Sequence, residues 1–135
     1  MLVAIATSVV RAVQYSHQYH VFVQDVSNSL IYARQHHSLD VTRDGQPLDV
    51  NTTQVSVAIR TLTKVGMGRP NAQEPDGGVL IAFGDGSVLQ LTEVTLEDDA
   101  AQSDVGLLVR YSYPDGHVYA YDTDQLKLED LTTSW

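Results

Sequence analysis

Histidines are the first residues of this sequence whose spacing could serve chemistry. His17 and His20 form a His-x-x-His pair that one helix face could present, and His36 and His37 follow downstream. Four imidazoles can bind a transition metal. Adjacent residues of a strand point to opposite faces, however, so His36 and His37 could not both join one cluster on regular backbone. We therefore expect solvated or interface histidines and no metal site.

Carboxylates are the second candidate, since oxygen ligands bind Ca²⁺ and paired carboxylates serve glycosidases. Their spacing matches no EF-hand loop, and any acidic protein offers carboxylate pairs. We interpret the acidic run that begins at Glu97 as a solvated connection that keeps sheet edges soluble, and we expect no cofactor. The residues in question are Glu97, Asp98, Asp99, Asp104, Asp122 and Asp124.

Motifs for nucleophilic and phosphate chemistry are absent from the sequence. No serine lies in a Gly-x-Ser-x-Gly elbow, and the chain contains no cysteine. The glycines of residues 66–70 are followed by no P-loop lysine. We predict that the protein is not an enzyme.

A tyrosine-rich hairpin in the second half is the strongest candidate binding feature. Residues 113–117, Tyr-Pro-Asp-Gly-His, suit a three-residue loop in which Gly116 is left-handed. That register pairs Tyr111 with Tyr119 and gathers four tyrosines on one face: Tyr111, Tyr113, Tyr119 and Tyr121. These rings could form a platform for a sugar or a protein partner. Because Leu107 and Val109 share their parity, covering the core is the stronger interpretation.

A second hairpin turns at Gly84-Asp85-Gly86. A three-residue loop there leaves Gln90 on one face and gathers the apolar residues on the other, as a half-buried antiparallel pair requires. Those apolar residues are Val79, Ile81, Phe83, Leu89 and Leu91.

The composition suits one domain that does not bind polyanions. The chain has 135 residues, 43% of them apolar, and a net charge of −9. Residues 1–70 carry six basic and four acidic side chains, whereas residues 71–135 carry two and thirteen. This balance argues against nucleic acid and anionic lipid as partners, and Arg11 ends the apolar start of the chain too early for a membrane span. We expect a soluble, unprocessed protein.

The first half contains short apolar runs that we interpret as strands at residues 20–24, 29–33 and 38–42. Residues 54–65 fit two periods: a helix face of Val55, Ala58, Ile59 and Leu62, or a strand alternating from Val55 to Val65. The many β-branched residues favour the strand.

The N-terminal segment is equally ambiguous, since it suits a helix or an extended arm. Its helical stripe consists of Leu2, Ile5, Val9 and Val13. Such an apolar stripe needs a surface to cover it, so we expect it to form an interface with a neighbouring subunit. The two oppositely charged halves could then meet head to tail in a homo-oligomer or lattice.

Seven to nine short elements with regular turns indicate an all-β fold, an antiparallel immunoglobulin-like β-sandwich. Residues 1–19 would form the arm or short helix, and residues 20–135 the sandwich. Without cysteine, and with Trp135 as the single tryptophan, the disulfide–tryptophan pin of antibody domains cannot exist.

Two stretches resemble a family of tailed-phage proteins. Residues 39–50, Leu-Asp-Val-Thr-Arg-Asp-Gly-Gln-Pro-Leu-Asp-Val, lead into the alternating residues 54–60, and residues 104–116 contain the later Tyr-Pro-Asp-Gly turn. This order is similar to the N-terminal immunoglobulin-like domain of baseplate upper proteins. The resemblance implies a structural role in the virion, at the tail, the baseplate or the capsid surface, with other virion proteins as partners. Two alternatives stay open: a carbohydrate- or protein-binding module that uses the tyrosine hairpin, and an acidic inhibitor of a host protein.

Overall fold

The described residues form a seven-stranded antiparallel sheet with helices against one face. The computed structural model describes the backbone of residues 2–97 and 103–135, and the side chains of residues 16–96 and 105–135. The helices are α1 (Leu2–His36), α2 (Thr52–Val65) and α3 (Leu128–Thr132). The strands are β1 (Asp40–Arg43), β2 (Gln46–Leu48), β3 (Arg69–Pro70), β4 (Val79–Ala82), β5 (Val88–Glu97), β6 (Ser103–Ser112) and β7 (Val118–Thr123). Their order in the sheet is β2-β1-β4-β5-β6-β7-β3.

Helix α1 is 35 residues long and packs along the sheet. Its buried side chains follow the helical period: Tyr19, Phe22, Val26, Leu30 and Ala33. The strands predicted at residues 20–24 and 29–33 are therefore wrong. Gly45 is the first glycine of the chain and Pro47 the first proline, so nothing stops the helix between the two runs, and burial of one face outweighs the β-preference of its valines.

The N-terminal segment is helical, which is the first of the two alternatives for it. The expected boundary between residues 19 and 20 falls inside α1. The side chains of the apolar stripe lie outside the described residues, so its role as an interface stays a prediction. The stripe comprises Leu2, Ile5, Val9 and Val13.

Residues 54–65 belong to helix α2, so the strand favoured for them is wrong and the helical alternative is confirmed. The face anticipated for the helix, from Val55 to Leu62, is the one that is buried. The Asn51 side chain accepts a hydrogen bond from the Gln54 N–H, and the Gln54 side chain accepts one from the Asn51 N–H, both at 2.9 Å. This capping box starts the helix, and packing on the sheet outweighs the β-branched bias.

Both hairpins of the second half have the predicted register. Ile81 pairs with Leu89, and the Phe83 N–H donates to the Ser87 carbonyl across the 84–86 turn. Tyr111 pairs with Tyr119, and Gly116 has a φ of 94°. Turn chemistry of a few residues was enough to specify these pairings.

The antiparallel sheet is confirmed, but the two-sheet sandwich is not. All strands of the described residues join one sheet. Helices α1 and α2 cover the face on which a second sheet was expected, and their apolar side chains form one core with those of the sheet. The sandwich was expected because two apolar runs, residues 20–24 and 29–33, were interpreted as strands, and both belong to helix α1.

The segment of residues 71–78, which we call the strap, crosses the opposite face of the sheet. It starts beside β7, where the Asn71 amide donates to the Asp122 carboxylate at 2.8 Å. It passes β5, where the Gln90 amide donates to the carbonyls of Pro75 and Gly77, each at 3.0 Å. These hydrogen bonds fix the strap across the sheet.

Candidate binding groove at the edge of the sheet

The four predicted tyrosines divide into two buried and two accessible rings. Tyr111 and Tyr121 are each 1% exposed and belong to the core. Their rings contact Phe22 of α1 edge to face, with centroids 5.8 Å apart in both cases. Tyr113 and Tyr119 are only half-buried. The predicted platform therefore exists only as its outer pair, and the inner pair covers the core.

Tyr113 and Tyr119 line a groove between α1 and the β6–β7 hairpin. The cavity here is about 250 Å³, and a second cavity of about 400 Å³ continues it around the edge of β7. We call the two together the edge groove. The first cavity is lined by His17, Gln18, Val21, Tyr113, His117, Val118 and Tyr119. The second adds Arg110 of β6, Ala120 of β7 and residues of the strap.

Exposed apolar side chains from α1 and from β7 line the same cavity of the groove. Val21 on α1 and Val118 on β7 are each 39% exposed, although both are large apolar residues. Scattered exposed valines need no explanation, but two that line one cavity indicate a surface that a ligand can cover.

The tyrosines of the groove are neutral hydrogen-bonding groups. Burial raises the pKa of Tyr119 to about 12. Burial, and then a hydrogen bond to Asp25, also raise the pKa of Tyr113 well above its usual value. The Tyr113 ring stacks on His117 at a centroid distance of 4.0 Å. The arrangement suits contact and hydrogen bonding, and it does not activate a phenolate base.

The histidines do not meet as a metal cluster. His17 lies in the edge groove, and His20 is exposed one turn along α1. His36 and His37 lie at the far end of α1, about 28 Å away at the rise of a helix. Among the described residues, no three His, Cys, Asp or Glu side chains are grouped as metal ligands.

The acidic residues divide in a similar way. Asp122 is buried beneath the start of the strap, where Asn71 and, at 3.5 Å, the Arg69 Nε contact its carboxylate. Asp124 lies beside it along an open cavity of about 520 Å³. Asp98 and Asp99, and the side chains of Glu97 and Asp104, fall outside the described residues, so the interpretation of that loop as a solvated connection without a bound cation stays a prediction.

A buried polar network went unnoticed in the sequence. The Ser29 hydroxyl of α1 donates to the Asp85 carboxylate at 2.7 Å and lies 2.6 Å from the Tyr111 hydroxyl. Ser87 donates to the same carboxylate through both its hydroxyl and its N–H. No imidazole takes part in the described hydrogen bonds of this network, so it ties α1 to the 84–86 turn rather than forming a Ser-His-Asp triad.

Comparisons of the chain with models of protein families, with curated proteins and with solved structures found no match. None of the described helices is long and apolar enough to cross a membrane. The candidate site thus depends on geometry alone.

Sequence reasoning missed the α1 wall of the groove, formed by His17, Gln18 and Val21. A signal for it existed: the buried stripe of α1 continues the three- and four-residue spacing of Leu2, Ile5, Val9 and Val13. That period would have placed residues 17–21 on the helix beside the tyrosine hairpin.

Proposed function

We propose that this protein is a non-enzymatic contact protein that binds a protein partner in the edge groove. The observation that carries the proposal is a cavity lined by two exposed valines, Val21 and Val118, beside the accessible rings of Tyr113 and Tyr119. Tyrosines beside apolar side chains and a polar rim are typical of protein contact surfaces.

Several features support a protein over a sugar as the partner. The Tyr113 ring has one face stacked on His117, and the Tyr119 ring packs on Phe22 with centroids 5.2 Å apart. Each ring therefore has at most one face left, which reduces the stacking area that the pair can offer to a sugar. The groove also extends past the edge of a strand, where backbone groups as well as side chains meet a ligand.

Site-specific photo-crosslinking in the source cells tests the proposal. A diazirine-bearing aliphatic residue replaces Val118, and the same residue at Val57 is the control, since Val57 is 52% exposed on α2, away from the groove. We expect one discrete protein adduct from position 118, identified by mass spectrometry, and its loss when Val21→Asp is added. Equal adducts at both positions, or an adduct indifferent to Val21→Asp, would refute the groove contact. So would sugar binding on a glycan array that Tyr119→Ala abolishes.

The location of the contact in a tailed-phage virion remains our proposal for its biological setting, and it is supported by the sequence resemblance. In that setting the partner is another virion protein or a second copy of this chain in a homo-oligomer. The native mass of the assembly tests this setting. A closed ring of five, six or twelve copies supports a virion role. A protein that is a monomer both when free and when bound to particles contradicts it. Inhibition of a host protein by the acidic half has no further observation in its favour.

A further inference from the structure

Among the described residues, the edge of β7 that faces away from β6 is paired at Ala120 and unpaired at Val118. The Tyr113 N–H donates to the His117 carbonyl at 2.9 Å, so His117 and every second residue after it bond towards β6. Val118 and Ala120 therefore direct their backbone groups away from β6. The Ala120 carbonyl accepts from the Asn71 N–H at 3.3 Å, and no described residue pairs with Val118 on that side.

A turn at Asn71 leaves this edge open. The Asn71 side chain accepts a hydrogen bond from the Gln73 N–H at 2.9 Å, which forms an Asx-turn. Without that turn, the chain after β3 would continue along β7 and reach Val118. The turn instead sends the strap across the outer face of the sheet, and the second cavity of the edge groove lies where the strand would have continued.

The two sides of this open edge differ in chemistry. A strand placed beside Val118 would alternate its side chains between the two faces of the sheet. On the α1 face they would meet Val21 and Tyr119. On the outer face they would meet Arg110, which lies beside Ala120.

Charge distinguishes the groove from the rest of this acidic chain. Its lining includes the cationic Arg110 and the imidazoles of His17 and His117, against one carboxylate, Glu74. Two further carboxylates next to the groove already have partners: Asp115 is paired with His117, and Asp25 is hydrogen-bonded to Tyr113. Arg110 is 22% exposed and meets Glu74, 78% exposed, at a long 3.4 Å. Because exposed ion pairs contribute little, a carboxylate of a ligand can replace Glu74.

We infer that the edge of β7 binds an extended acidic segment of the partner by strand addition at Val118, with apolar side chains towards α1 and a carboxylate towards Arg110. The inference deepens the proposed function, on which it rests, by naming how the partner is bound. Backbone hydrogen bonds supply the pairing, and the alternating side chains supply the selectivity.

Titration with synthetic peptides tests this binding mode. The probe is acetyl-Val-Asp-Val-Asp-Val-Asp-Val-amide, and its controls are the peptide with Lys for Asp and the acidic peptide with N-methylated central amides. We expect the acidic peptide to bind at least tenfold more tightly than the other two, and to slow hydrogen exchange of the Val118 amide at least tenfold. Equal binding of the three peptides, or unchanged exchange at Val118, would overturn the inference.

Variants of the protein sharpen the test. Val118→Pro removes the outward N–H at an edge position where proline is tolerated, and Val118→Ala is its control because it keeps the N–H. We expect Val118→Pro to abolish binding and Val118→Ala to weaken it by less than fivefold. Glu74→Gln should strengthen binding two- to fivefold, whereas Arg110→Gln should weaken it at least fivefold. If Val118→Pro fails to fold, the N-methylated peptide still decides the result.

The two proposals fail separately. A crosslink at position 118 that depends on Val21, together with no strand addition by the acidic peptide, would leave the groove contact standing and refute only the binding mode. Absence of the crosslink with peptide binding intact would refute the contact in the source cells.

Discussion

At the scale of single residues, Asp85 is the most heavily bonded carboxylate of the described chain. It accepts hydrogen bonds from the Ser29 hydroxyl and from two groups of Ser87. Burial raises the pKa of Asp85, but these hydrogen bonds outweigh it and hold the pKa below its usual value. The carboxylate therefore stabilises the fold only while it is ionised.

We predict that Asp85→Asn lowers the free energy of unfolding by about 1 kcal/mol at pH 7, the low end for charged hydrogen bonds because the site is partly exposed. In the native protein this stabilisation is complete above about pH 4, the unfolded pKa, and is lost as the pH falls through the lower folded pKa. Denaturant unfolding between pH 2 and 7 measures both effects. The exposed Asp76→Asn is the charge-matched control. Parallel pH profiles for the native protein and Asp85→Asn would contradict this account.

At the scale of elements, α2 depends on its first turn. Asn51 caps the helix, and the Gln54 amide also donates to the Ser134 carbonyl at 2.7 Å, which ties the helix to the end of the chain. Its threonines and valines have modest helix propensity, so the cap matters more than it would in an alanine-rich helix.

We expect Asn51→Ala to lower the free energy of unfolding by about 1 kcal/mol, because the Gln54 N–H loses its acceptor. Asn51→Asp keeps an acceptor at the same place and should stay within about 0.3 kcal/mol of the native protein. Thermal and urea unfolding of the three proteins measure the difference. Equal losses in both variants would show that something other than the cap stabilises this end of α2.

At the scale of the whole molecule, Phe22 joins α1 to the sheet. It is fully buried, and its ring contacts the rings of Tyr111, Tyr119 and Tyr121 at centroid distances between 5.2 and 5.8 Å. The groove depends on this contact, because the contact holds α1 beside the β6–β7 hairpin. The α1 residues His17, Gln18 and Val21 line the cavity there. Stability of the core and shape of the groove are thus set by the same contact.

Phe22→Ala should lower the free energy of unfolding by about 3–5 kcal/mol, since it leaves a cavity among aromatic rings. Ile31→Ala, at a position 50% exposed on the same helix, should cost less than about 1 kcal/mol. Equilibrium unfolding in urea compares them. If Phe22→Ala proves unstable, Phe22→Leu should show an intermediate loss, and a loss no larger than that of Ile31→Ala would contradict the packing described.

The turns, and the strand pairings that depend on them over a few residues, follow from local sequence. The Gly-Asp-Gly and Pro-Asp-Gly loops constrain φ and hydrogen bonding locally, and so they specify the two hairpins and the shared face of the tyrosines. The charge asymmetry was also evident from the sequence. So was the helical face of α2, although the same residues also fit a strand. Short apolar runs carry no such local constraint, because their period is ambiguous.

Tertiary packing selected the helical period over the strand period, and it brought distant residues together. Residues 20–36 are helical because one side of α1 buries against the sheet, and that contact is formed by residues far apart in the chain. Ser29 meets Asp85 across 56 positions of sequence, and Val21 and Val118 line one groove that neither segment forms alone. Such juxtapositions depend on packing, whose energy comes from distant partners, and not on any property of the local sequence.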